Sequence, residues 1–175
     1  MRSFASDNNS GVHPAVMAAI EEANTDHAFG YGADMWTECA TESVKRAFGS
    51  GAEPFFLFNG TGANSVALQA VTRSFNSILC DTTAHIYVDE CNAPARMTGC
   101  QLIAIEAPDG KLTPELLRSH LLHFGDCHHA QPGAVYLSQA TELGTMYTID
   151  EVRAIAKLIH AHGMKLHMDG ARLAN

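Results

Sequence analysis

The chain has 175 residues, one domain's worth, and 46% of them are apolar, as a packed globular core requires. Its 19 acidic and 11 basic residues give a formal net charge of -8, and no Lys/Arg run occurs, which argues against a partner such as nucleic acid or an anionic membrane surface. No apolar stretch reaches bilayer length, and the opening "MRSFASDNNSG" lacks the apolar run of a signal peptide. Five cysteines (Cys39, Cys80, Cys91, Cys100, Cys127) without CxxC spacing read as free thiols of a reducing cytoplasm.

In chain order, "TECATESVKRAFG" predicts a helix opened by Thr37 and closed near Gly49. "FFLF" (55–58) is an apolar run too short for a helix and reads as a strand. The stretch "GANSVALQAVTRSF" (62–75) carries Val66, Ala67, Ala70 and Val71 at helical spacing. "SILC", "AHIYV" and "QLIAIEA" read as short strands. "LTPELLRSHLLHF" predicts a helix with Thr113 as N-cap and Pro114 in first position. "GAVYLSQ" is a strand, and "TIDEVRAIAKLIHAHG" is a helix with a capping box, Thr148 and Glu151, closed by Gly163. "KLHMD" is the next strand. This alternation defines an α/β fold with a mostly parallel sheet, in which ligands bind beyond the carboxyl ends of the strands. Asn59, Gly60, Thr61 and Asp169 stand at such ends.

In "FNGTGANSVAL" a strand meets a Gly-rich turn and then a helix. Free helix N–H groups, the positive dipole end and the Thr61 hydroxyl suit a phosphate, although the stretch is neither a Walker loop nor GxGxxG. It also reads as a plain tight turn. Asp89 and Glu90 are neighbours that a strand would point apart, so they read as capping and solvation. His123, Cys127, His128 and His129 in "HFGDCHH", and His160, His162 and His167, lack the spacing of a zinc site, which leaves a metal-dependent hydrolase as a distant alternative. Asp169 calls for a partner, and Arg172 is the nearest candidate. The other reading of Asp169 is a carboxylate facing a protonated ring nitrogen. A cofactor with both a phosphate and a pyridine nitrogen would join it to the Gly60–Thr61 turn, and pyridoxal phosphate has both.

Seven stretches resemble the threonine aldolase and β-eliminating lyase family: "SDNNSGVHPAVMAAIEEAN", "YGADMWT", "FNGTGANSVAL", "AHIYVDECNAP", "GKLTPE", "QATELGTMYTIDEVRAIAKLIHAHG" and "LHMDGARLAN". They stand in the family's order, and the low-specificity L-threonine aldolases are the most similar group. The resemblance implies the N-terminal part of the large domain of a pyridoxal-phosphate-dependent fold-type-I transferase, and a cytoplasmic homo-oligomer, dimer or tetramer. It implies aldol cleavage of a β-hydroxy-α-amino acid, threonine or its allo epimer, to glycine and acetaldehyde. A phenylserine aldolase or β-eliminating lyase of the same fold is the alternative, and a non-catalytic binding or oligomerisation module is another. By resemblance, Gly60 and Thr61 hold the phosphate, His85 stacks on the ring, Asp169 pairs with the ring nitrogen and Arg172 lies near the phenolic oxygen. Ser6 helps to hold the substrate carboxylate. His128 or His129 touches the substrate hydroxyl, with the register favouring His129. The family's Schiff-base lysine lies downstream of "DGAR", and Lys45, Lys111, Lys157 and Lys165 do not match its context. The expectation is a chain truncated before that lysine and the small C-terminal domain, and inactive alone.

Overall fold

The computed structural model describes residues 5–174, so Asn175 at the end of "LHMDGARLAN" lies outside them. The chain divides into two compact units, one ending at Phe56 and the other starting at Leu57. Among its described residues the first unit holds a 3-10 turn at Asp7–Asn9 and two α-helices. Helix α1 (Pro14–Ala23) starts with proline in first position, behind His13, whose ring nitrogen accepts the Ala15 N–H. Its apolar residues Val16, Met17 and Ile20 remain exposed. Helix α2 (Met35–Phe48) begins two residues before the predicted start. The reason is its cap: Asp34, not Thr37, fills that role, its carboxylate accepting the Thr37 N–H and hydroxyl, both at 2.8 Å. The predicted close at Gly49 stands, with φ 102° that glycine adopts without strain.

In the second unit the elements are α3 (Gly60–Val71), β1 (Asn76–Asp81), α4 (His85–Val88), α5 (Ala93–Thr98), β2 (Gln101–Ile105), α6 (Pro114–Arg118), β3 (Gln131–Ser138), α7 (Ile149–His160) and β4 (Lys165–Asp169). The strands form one parallel sheet in the order β2-β1-β3-β4. Side chains alternate across each strand. Ile78, Cys80, Ala134 and Tyr136 pack with Leu68 of α3 on one face. Leu79, Val135 and Leu137 pack with Leu117, Ile155 and Ile159 of α6 and α7 on the other. Both faces are therefore covered, which explains why β1 and β3 read as nearly continuous apolar runs. Burial pushes the Cys80 thiol up to about 12, so it is an inert core residue.

Two predicted strands are absent. Residues 55–58 have no sheet partner and stay exposed, so apolar character alone does not make them a strand. "AHIYV" is the short helix α4, because a turn closed by the Asp81 carboxylate on the Thr83 N–H at 2.8 Å ends the extended backbone before it. The helix from Pro114 is shorter than predicted and passes into a 3-10 turn at Ser119–Leu121. The α7 capping box forms as predicted, while Gly163, at φ 73°, closes the turn beyond the helix rather than its last residue.

The register of β1 against β3 shifts between Ser77 and Ile78, beside Gly133. A Cβ on Gly133 would come within 2.9 Å of the Asn76 Cβ and 2.6 Å of its Cγ. Asn76 cannot swing away freely, since its side chain accepts from the Arg73 N–H and donates to the Gln131 carbonyl. Gly133→Ala is expected to lower stability by about 1–3 kcal/mol, the range for overpacking. A urea midpoint equal to the parent's would show that Asn76 yields without loss.

Candidate active site

All four strands are parallel, so Asp81, Ile105, Ser138 and Asp169 end at one edge of the sheet. The connections from β1 and from β3 lead to opposite sides, which makes the β1–β3 boundary the switch point where such sheets bind ligands. Pairing of β3 with β4 sets Tyr136 beside His167 and Ser138 beside Asp169. Alternation then carries these four side chains to the face that α3 covers.

Asn64 of α3 is the hub of this face. It lies one helical turn after Gly60 and is 5% exposed. Its amide nitrogen donates to Glu90 Oε1 at 2.7 Å and to Asp169 Oδ2 at 2.9 Å, and its Oδ1 faces His167 Nε2 at 2.8 Å. Two carboxylates can only accept, so the NH2 group stands between them and His167 carries its proton on Nε2. The Tyr136 hydroxyl donates to the same Asp169 oxygen at 2.9 Å, and the Ala171 N–H to Oδ1 at 3.0 Å. Burial alone would raise the Asp169 pKa; the donors Asn64, Ala171 and Tyr136 outweigh it and hold the carboxyl below its ordinary value. Burial keeps His167 below the usual histidine value, and its ring stacks on Tyr136 with centroids 5.5 Å apart.

His85 opens α4 just beyond β1. Its Nδ1 lies 2.8 Å from Glu90 Oε1. Glu90 is 4% exposed, which corrects its reading as a solvating residue, whereas Asp89 is exposed and caps α4. Burial pulls the His85 pKa down, but the bond to Glu90 and the charges of Glu90, Glu142 and Asp169 prevail and raise it. Arg172 does not pair with Asp169. It binds Glu142 at 2.5 Å and the Ala140 carbonyl, both on the segment after β3. Gly60 and Thr61 form the first turn of α3, capped by Asn59, which accepts the Gly62 N–H at 2.8 Å.

His85, Asp169, Gly60 and Thr61 thus share one end of the unit, tied together by α3 and Asn64. The His128–His129 pair lies elsewhere in the bonding pattern. His129 is 3.5 Å from Asp126 and stacks on His123, and both members of the pair are exposed. Among the described residues no hydrogen bond or ion pair links this loop to the Asn64 cluster. The loop does bring His123, Asp126 and His129 within ligand distance of one another, a grouping that the spacing did not reveal. Ser6 is described within the first unit, its hydroxyl accepting the Asn8 N–H. Lys111 is paired with Glu151 at 2.6 Å, and Lys165 starts β4 at the end opposite Asp169. Sequence reasoning missed Asn64, Glu90, Tyr136 and His167. Only His167 had a legible signal, its i, i+2 spacing from Asp169 on a strand.

The parallel sheet and its flanking helices have the α/β fold of the pyridoxal-phosphate-dependent type I enzymes. The S. paucimobilis serine palmitoyltransferase, solved with bound pyridoxal phosphate, shares this fold at 17% identity and TM-score 0.65, over 90% of this chain and 39% of that one. Residues 3–175 match the β-eliminating lyase family, and the chain belongs to it. A low specificity L-threonine aldolase from Pseudomonas aeruginosa is 46% identical over 98% of this chain and 50% of its own length. The Saccharomyces cerevisiae low specificity L-threonine aldolase is 31% identical over 91% of this chain and 41% of its own. The structure of the Leishmania major threonine aldolase superposes with TM-score 0.89 at 30% identity, over 95% of this chain and 48% of that one. The chain thus spans about half the length of the relatives it matches.

Proposed function

We propose that this chain supplies the N-terminal part of the cofactor-binding large domain of a pyridoxal-phosphate-dependent aldehyde-lyase. The enzyme would cleave L-threonine or L-allo-threonine to glycine and acetaldehyde. The observation that carries this reading is the state of Asp169. Its carboxylate is ionised and accepts three protein donors, while a carboxylate offers about four lone-pair sites. One site is left for an external N–H donor, which suits a protonated pyridine nitrogen. The donor set also fits the phosphate: α3 begins at Gly60 with free N–H groups and a hydroxyl at Thr61, and a Cβ on Gly60 would meet nothing within 4 Å.

Bound pyridoxal phosphate would supply an electron sink for the α-carbon of the amino acid. The chain's own residues would hold and orient that group. Asp169 keeps a proton on the ring nitrogen, and Tyr136 and Asn64 keep Asp169 ionised. The Gly60–Thr61 turn anchors the phosphate, and Arg172 serves the phenolic oxygen while its other face holds Glu142. His85 orients the ring by stacking, Ser6 helps to hold the substrate carboxylate, and His129 or His128 touches the β-hydroxyl. The protein would act in the cytoplasm as a homo-oligomer, dimer or tetramer. The 46% identity to an L-threonine aldolase across nearly this whole chain supports the reading.

All tests use the full-length enzyme, and the first is a titration with pyridoxal phosphate followed by absorbance, then an assay for acetaldehyde with threonine. An Asp169→Asn protein that binds and turns over like the parent would overturn the reading. Two substitutions separate stacking from acid–base work. His85→Phe is expected to keep the cofactor and lose part of the activity. His129→Phe is expected to change the ratio of cleavage rates for threonine and its β-epimer, because a group that touches the hydroxyl discriminates there. If only His128→Phe moves that ratio, the role belongs to His128; if neither does, the pair is a solvated loop.

A further inference from the structure

We infer that Glu90 is a positioning residue that fixes His85 in one orientation and one tautomer, and that Asn64 joins this pair to Asp169 as a single preset unit. The inference deepens the reading of the site above and rests on it for its role in turnover, but the arrangement it describes is a property of the chain itself.

A carboxylate with a fully buried side chain is expensive to maintain and needs a reason. Helix capping is not that reason. The cap of α4 is Asp89, α5 begins after Asn92, and among the described residues no backbone N–H bonds to the Glu90 carboxylate. Its Oε1 instead takes both His85 Nδ1 and Asn64 Nδ2, while Oε2 has no partner among the described residues. Every bond Glu90 makes through its side chain therefore points at the site.

The consequence for His85 follows from valence. An ionised carboxylate only accepts, so the hydrogen lies on Nδ1. The neutral ring is then left with its lone pair on Nε2, where a proton can be taken up or released. A second link runs through Asn64. One amide NH2 serves Glu90 and Asp169 together, so the ring of His85 and the carboxylate of Asp169 are set by the same side chain. Groups preset in this way need no rearrangement when a ligand arrives. The charged groups facing His85 come from three segments: Glu90 after α4, Glu142 after β3 with Arg172 against it, and Asp169 at the end of β4.

The test is NMR of the protein labelled with 15N-histidine, without cofactor, which reads the tautomer and titration of His85 directly. The parent is expected to show hydrogen on Nδ1 in the neutral ring. Glu90→Gln retains an accepting oxygen but not the charge, so the tautomer should persist while the His85 pKa drops. Glu90→Leu removes the acceptor, so the neutral ring should become a mixture with Nε2–H. In the full-length holoenzyme, kcat should fall on the order of ten- to a hundred-fold in Glu90→Leu, and the substrate KM much less, as for a misplaced but present group. If Glu90→Leu fails to fold, Glu90→Gln still decides. A parent His85 in the Nε2–H form, or a titration unmoved by Glu90→Gln, would sink the inference. A tautomer that follows Glu90, with a full-length protein that never binds pyridoxal phosphate, would uphold the pairing and reject the cofactor reading, so the two failures are distinguishable.

Discussion

On the function proposed above, Asp169→Ala in the full-length enzyme is expected to lower turnover of threonine by on the order of a thousand-fold, as loss of a preorganised charge at a reaction centre does. Without the carboxylate nothing in the cluster keeps a ring nitrogen protonated near neutral pH. Tyr136 and Asn64 also lose an acceptor each, so some stability should go with the activity. Steady-state kinetics beside a denaturation curve would separate the two losses. Near-parental turnover would show that Asp169 only organises its donors. The same group sets an acid limit. Its folded pKa lies below the ordinary 3.8, so its stabilising contribution is complete above that value and disappears as pH falls through the folded one. His85 has the opposite sign. Its folded pKa lies above 6.5, so its contribution is complete below 6.5 and disappears as pH rises through the folded value. His167, whose folded pKa lies below 6.5, acts against this and costs stability as pH falls from 6.5 through its folded value.

Leu79→Ala is expected to destabilise the second unit by about 2–5 kcal/mol, the range for a large-to-small change in a core. Leu79 is fully buried in β1, which has a strand on each side, and its face of the sheet packs against Leu117, Ile155 and Ile159. A domain holds only about 5–15 kcal/mol in total, so the loss is a large share. The urea midpoint should fall with an unchanged m-value. Val66→Ala, on the 43% exposed side of α3, should move it by less than about 0.5 kcal/mol. Equal shifts in both variants would mean that β1 is not the centre of the core.

Local pattern carried further for some elements than for others. The strands at "SILC" and "GAVYLSQ" were legible because a strand buried on both faces is a nearly unbroken apolar run, and the edge strand "KLHMD" was legible from its alternation of polar and apolar residues. The Thr148–Glu151 box was legible because its two bonds close within four residues. "FFLF" and "AHIYV" carry the same apolar signal and are not strands. A strand needs a hydrogen-bonding neighbour, and no window of sequence contains one.

By itself, then, the sequence determined the α/β class, the Thr113 and Thr148 caps, the Gly60–Thr61 turn and an acid at the end of a strand, because each depends on residues close in the chain. Tertiary structure alone decided which groups that acid would meet. Arg172, three residues away, is the local candidate, yet it turns to Glu142, while Asp169 is served from Asn64, 105 positions back. Glu90 looked like a solvated charge because burial is not written in a residue's neighbours. It becomes a buried acceptor only when α3 crosses the sheet and places Asn64 beside it. A carboxylate in an apolar interior takes whatever donors the packing brings within reach, and it is the order of the strands that brings them.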